Sequence, residues 1–373
     1  MCMSVVGLLL LMFLITWLLW MGQTRVIMKT DGPIKKRKRS AVCALCVNFA
    51  LFCIFVKFFV FREISNTTGG TDAYVYAERF LNATGGLVQG VLSQKNEIGY
   101  ALLVYIVRCL TKDFRVYLVV YYTLLLLLIN NINKNVIKTH VSFITTFLFI
   151  TLNIITSLCL MRNQLSCFLA FNSIMCFTQK KKAKSGLFFV LAVSCHYSAI
   201  IILVGYILFG LYKKLHFSTP KFVLFLGLAA LFLWICGIYA SKILVNTRYG
   251  VYLLNSGDVG YGQIVRLIVL FFVIFITYRQ VKMSNITKKH MMQVADLFLI
   301  FPMQTYLSVL YRTFTMANYS QLVLLNDAYY ENRKRKKFMT VQMFNIGAFI
   351  LLVLELYLFF TQTVPSYGLL GSY

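Results

Sequence analysis

Long apolar runs separated by short polar ones make up most of this chain. They occupy roughly residues 4–22, 41–61, 114–130, 141–160, 163–178, 222–239, 263–278, 293–311, 313–328 and 339–361. Each approaches the ~20 residues that an α-helix needs to cross a ~30 Å hydrocarbon core. The pattern predicts an all-α polytopic membrane protein with one integral membrane domain over residues 1–373. The first run, Val5 to Met21, is too long for a signal-peptide core and lacks a small-residue cleavage site, so it is expected to stay as a helix. Residues 97–111 form a shorter run, expected to be an amphipathic or interfacial helix.

Polar residues between the runs set the topology. Basic clusters lie at Arg25–Arg39, Lys134–Lys138, Lys180–Lys184, Lys213–Lys221, Arg279–Lys289 and Arg333–Lys337. Counting passes puts the first three on one side and the last three on one side. Agreement between the two sets depends on residues 185–212. As one helix this segment would be about 42 Å long, well beyond the ~30 Å core. A broken pair meeting near His196 puts all six clusters in the cytoplasm, as the positive-inside rule expects, and gives about 11–12 transmembrane helices. His196 then lies in a recess open to the outer face. That face also carries a long loop, 62–99, and a second loop, 240–262.

Composition supports this reading. The chain has 373 residues, 60% hydrophobic and 13% charged, with mean hydropathy +0.76, which excludes a soluble domain of this size. The formal charge of +26 is concentrated in the cytoplasmic clusters. It reads as topology and attraction to anionic lipid, with no nucleic-acid partner. Most of the 10 cysteines lie within apolar runs, where they act as small hydrophobes. Cys43-Ala-Leu-Cys46 has redox spacing but sits in a spanning run. The four histidines show no metal-ligand spacing, and neither a phosphate-binding glycine loop nor a serine elbow is present. No metal or cofactor is expected.

The chemistry-bearing candidates fall on the outer face. Arg162, Arg248 and Arg312 offer fork-like donors suited to a diphosphate. Each also has a structural alternative, snorkelling to headgroups or pairing with a carboxylate. His196 is either a general base or orienter or a hydrogen-bonded core residue. Asp72 is either a base or a helix-start residue. Glu97 is either a base or sugar contact, or a favourable charge at a helix N-terminus. Tyrosines of the two loops, among them Tyr74, Tyr76 and Tyr249, add sugar-binding character.

These pieces form an ordered set: Asp72-Ala-Tyr74 with Tyr76; Glu97-Ile-Gly-Tyr-Ala-Leu-Leu; Arg162-Asn-Gln164; Lys180-Lys-Lys-Ala-Lys184; His196-Tyr-Ser-Ala199; and Arg248-Tyr-Gly. Over roughly residues 60–330 the set resembles the EpsG-like branch of the Wzy-type bacterial polysaccharide polymerases. Asn163 separates Arg162 from Gln164, where the family pattern places arginine and glutamine side by side. The resemblance implies an architecture like that of GT-C membrane glycosyltransferases, and a metal-independent polymerase at the outer face of the bacterial inner membrane. Its substrates would be oligosaccharide repeat units on undecaprenyl diphosphate, and its product O-antigen, capsule or exopolysaccharide. A chain-length regulator and a flippase would be partners. Arg162, His196 and Asp72 would be catalytic. Arg248, Arg312, Gln164, Ser198, Glu97 and Tyr249 would hold diphosphate and sugar. The alternatives are a lipid-linked oligosaccharide flippase and a membrane acyltransferase acting on surface sugars. Paired halves would favour a flippase, and the sequence shows none.

Overall fold

The computed structural model describes residues 4–31, 34–65, 70–94, 97–136, 143–203 and 338–367, with isolated positions between 206 and 246. All regular structure among them is helical. In chain order come α1 (Val5–Asp31), α2 (Ile34–Ile54, continued by a π-helical turn, Phe55–Val60), α3 (Thr71–Asn82), α4 (Leu87–Leu92), α5 (Ile98–Leu110) and α6 (Phe114–Val136). Next are α7 (Phe143–Thr146), a π-helical turn (Phe147–Thr151) and α8 (Leu152–Thr156). Then follow α9 (Met161–Thr178), α10 (Lys182–Cys195), a 3-10 turn (Tyr197–Ile201) and, after a long interval of sequence, α11 (Phe338–Leu358). Among the described residues four helical segments are long and apolar enough to cross a membrane: Val5–Gly22, Ala41–Val60, Phe114–Ile132 and Gln342–Thr361. They coincide with four of the predicted runs. The protein is an all-α polytopic membrane protein.

The chain divides into two compact units, Met1–Tyr197 with Glu355–Tyr373, and Ser198–Leu354. The first is built around α9. Its apolar residues are spread around the helix rather than on one face, and Met161 and Asn163–Cys176 are all buried, as expected for a helix surrounded by others. Several of the polar groups it takes into the core find partners. Ser166 Oγ donates to Ala192 O of α10 at 2.8 Å, and the Ser173 and Ser185 hydroxyls donate to each other's carbonyls at 2.8 and 2.9 Å. Asn131 Nδ2 on α6 donates to Asn172 Oδ1 at 2.5 Å, and Asn172 Nδ2 donates to Phe168 O at 2.7 Å. These bonds fix the register of α9 against α10 and α6, since an unmade buried hydrogen bond costs about 1–3 kcal/mol.

Helices α9 and α10 form an antiparallel hairpin. Its tight turn holds Lys180 at φ 63, and Lys180, Lys181, Lys182 and Lys184 are exposed there. At 1.5 Å per residue α9 is about 27 Å long and α10 about 21 Å. Helix α10 ends at Cys195, and His196 is extended (φ −157, ψ 122) before the 3-10 turn. The predicted break therefore falls at His196 itself. It lies at the hairpin end opposite the lysines.

The connection expected as a long loop over 62–99 is largely helical, with α3 and α4 inside it. Gly70 (φ 100) explains how α3 starts. A Cβ there would lie 2.8 Å from Leu158 O and 2.9 Å from Cys159 Sγ, so only glycine allows this approach to the turn before α9. Helix α5, expected to be amphipathic or interfacial, buries one side and exposes the other. Tyr100, Ala101, Val104 and Val107 are buried, but Ile98, Leu102, Ile106 and Leu110 on its exposed side are apolar too. Its charges, Glu97 and Arg108, sit near the ends, and at about 20 Å it is shorter than a full span.

Candidate functional site

Three helix ends meet where Glu97, Arg162 and His196 lie. Glu97 is the N-cap of α5, Arg162 is in the first turn of α9 and His196 closes α10. Glu97 bridges the other two. Its Oε2 accepts from Arg162 Nη1 at 2.5 Å, and its Oε1 lies 2.8 Å from His196 Nδ1. The second contact is close, but Nδ1 makes no well-aligned hydrogen bond among the described residues. The side chains are 22% (Arg162), 8% (Glu97) and 18% (His196) exposed. The carboxylate is thus enclosed while both bases keep an edge open.

The geometry follows from local structure. A carboxylate at the start of α5 faces the positive end of that helix, favourable by about 0.3–1 kcal/mol. Arg162 sits at an unfavourable N-terminus, and Glu97 compensates it. Close approach of α5 to α10 requires Gly99, where a Cβ would lie 2.6 Å from Ser194 Cβ and 2.9 Å from its carbonyl carbon. The start of α9 is held by Tyr121 Oη donating to Met161 O at 2.9 Å. Glu97 lies outside the four candidate spans, in the connection before α5. Burial opposes its charge, but His196 and Arg162 outweigh that cost and hold its carboxyl down at about 2.

Tyr76 completes the cluster. From α3, its Oη accepts from Arg162 Nε at 3.2 Å, and its ring lies 5.8 Å below the guanidinium carbon, within cation–π range. Tyr76 packs on Tyr100 (ring centroids 5.6 Å), and Tyr100 on Tyr117 of α6 (6.4 Å). In the sequence Tyr76 appears as one of several loop tyrosines and in the ordered set beside Asp72-Ala-Tyr74. Its spacing of four from Asp72 puts both on one face of α3, a signal usable only once 71–82 is taken as a helix.

Of the other residues singled out in the sequence, Asp72 is half-buried in the first turn of α3 and makes none of the Arg162, Glu97 or His196 contacts. Gln164 is fully buried one turn into α9, and both its amide atoms lack a partner among the described residues. Ser198 belongs to the second unit, and its hydroxyl has no partner among the described residues. Arg248, Tyr249 and Arg312 lie outside the described residues. Other arginines near this end have structural partners. Arg62 donates to Tyr122 Oη at 3.2 Å and Leu158 O at 2.8 Å, and Arg115 lies 5.5 Å over Phe61. Among the described residues no group of three or more His, Cys, Asp and Glu side chains is arranged to hold a metal ion.

An enclosed carboxylate holding an arginine and a histidine at the ends of buried helices defines a polytopic membrane protein with a polar site in its helical bundle. The family model that matches is the EpsG family, over residues 34–367. The chain belongs to the EpsG family, whose members are membrane proteins of polysaccharide biosynthesis. No curated protein and no solved structure matches it.

Proposed function

We propose that this protein polymerises lipid-linked oligosaccharide repeat units into a surface polysaccharide, at the outer face of the bacterial inner membrane. The observation that carries the reading is the Glu97 carboxylate held between Arg162 and His196. In the reaction, a hydroxyl oxygen of the incoming repeat unit bonds to the anomeric carbon of the growing chain. The bond from that carbon to the lipid diphosphate breaks, and its electron pair leaves on the diphosphate. The hydroxyl proton passes to His196 Nε2. Glu97, a weak base with its carboxyl at about 2, serves as the group that holds Nδ1 and leaves Nε2 to face the hydroxyl. The contact at Nδ1 would straighten when substrate fills the site, as catalytic hydrogen bonds often do.

Among the described residues Arg162 has two nitrogens engaged and Nη2 uncommitted. A fixed guanidinium that meets charge developing on a leaving diphosphate is an electrostatic catalyst. The diphosphate is itself the driving leaving group, so no nucleotide is required. The lysine turn at the far end of the α9–α10 hairpin supports an outward-facing site by the positive-inside rule. At about 21 Å, α10 would place His196 below the far boundary of a ~30 Å core, in a recess. Undecaprenyl diphosphate as carrier, with Arg248, Arg312 and Tyr249 as further contacts, belongs to the same proposal.

The test is surface-glycan length in cells carrying Arg162→Ala or His196→Ala, with membrane levels of each variant matched to native. Single, unpolymerised repeat units are expected for both, with rates down by about 10²-fold or more. A complete absence of repeat units would point to a flippase instead. Native chain lengths in both variants would remove the site.

A further inference from the structure

We infer that Tyr76 is a positioning residue that sets the plane of Arg162 and thereby chooses which N–H groups face the ligand. The inference rests on reading Arg162 as the cation that meets a diphosphate. An arginine side chain has several rotatable bonds and about 2 kcal/mol of rotamer entropy, so one ion pair leaves it free to swing. Glu97 takes Nη1 and neutralises the charge, but a single carboxylate contact does not fix a plane. Tyr76 adds two restraints that bring no charge. Its hydroxyl accepts from Nε at 3.2 Å and its ring lies against the guanidinium at 5.8 Å. With Nε–H and one Nη1–H engaged, three N–H donors are left to bind an anion, both on Nη2 and the second on Nη1.

The platform behind Tyr76 is stiff. Tyr76 is 7% exposed, and Tyr100, Tyr117 and Phe80 behind it are fully buried. Ring-to-ring distances of 5.6 Å (Tyr76–Tyr100), 6.4 Å (Tyr100–Tyr117) and 5.6 Å (Tyr117–Phe80) tie α3, α5 and α6 into one stack. Gly70 pins the start of the same helix α3 against the turn that leads into α9. Movement of α3 would therefore move Tyr76 and turn Arg162 with it. A tyrosine serving only to fill space would need the ring alone, and its hydroxyl would not have to reach Nε.

The experiment uses the full-length protein in nanodiscs and a short-chain polyprenyl diphosphate as the binding probe. Tyr76→Phe keeps the ring and removes the acceptor. It is expected to weaken probe binding about tenfold, with the melting temperature near native. Arg162→Lys keeps the charge but has no Nε, so Tyr76→Phe introduced into it is expected to cause no further loss. Native affinity in Tyr76→Phe, or the same additional loss in both backgrounds, overturns the inference while Arg162→Ala still abolishes binding. If Arg162→Ala binds the probe as native does, the diphosphate reading itself falls.

Discussion

Glu97 is a single enclosed carboxylate in contact with two cationic or ionisable partners, and its worth depends on its charge. In the folded protein it titrates at about 2, against 4.5 for the free side chain. A carboxyl lowered on folding stabilises the fold fully above the unfolded value, and the contribution fades as pH falls from about 4.5 through about 2. Glu97→Gln keeps the shape and removes the charge. It is expected to lower stability near neutral pH by about 3 kcal/mol, the cost of breaking a buried pair. Thermal unfolding across pH checks the sign, because the gap between native and variant should close towards pH 2. A gap of constant size would show that the carboxylate is not the source. Arg162 and His196 were legible in the sequence because polar residues stand out inside apolar runs. The partnership was not, because Glu97 is 65 residues from Arg162 and ordinary in its local context. Asp72, chosen from the same loop on composition, stays out of the cluster, whereas Tyr76 one turn later enters it.

At the scale of elements, the site depends on how closely α5 lies to α10. Gly99 permits that approach. In Gly99→Ala the new methyl meets the backbone of Ser194 at 2.9 Å and its Cβ at 2.6 Å, and neither belongs to a flexible side-chain end. The helices must separate, at about 1–3 kcal/mol for an overpacked contact, and Glu97 is carried away from His196. Polymer length should fall more steeply than the amount of folded protein. Gly186 on α10 is the control. A Cβ there meets nothing within 4 Å, and alanine in a helix interior is favoured over glycine by about 1 kcal/mol. Gly186→Ala should melt slightly higher and leave polymer length native. Equal loss in both variants would mean that α10 tolerates no alanine, and would remove the role of close approach. Hydrophobic run lengths predicted α1, α2, α6 and α11 well. They did not predict α3 and α4, which lie in a loop-like stretch; α3 owes its place to Gly70 and the packing of Phe80 and Tyr76 against α5 and α6, and α4 to Gly90, which lets the Tyr105 ring of α5 approach.

The whole molecule poses a topological question that a single residue decides. Six basic clusters can share one side only if the chain turns back near His196, and α10 does end there, at Cys195. The turn Lys180–Lys184 lies about 21 Å along α10 from His196, and its lysines are exposed. If the next segment, entering the second compact unit at Ser198, returns to the side it came from, then Lys182 and Lys214 face the same compartment. Reporter fusions at these two positions should both be active in the cytoplasm. The physical reason is the cost of the alternative. One unbroken helix from 185 to 212 would carry His196 at mid-depth in lipid and leave three lysine- and arginine-rich clusters on the outer side, against the positive-inside bias. Opposite locations for the two reporters would place His196 within a continuous crossing. The Arg162–Glu97–His196 cluster would then be a buried ion-pair network without access from the outer face, and a polymerase acting there would lose its route to substrate.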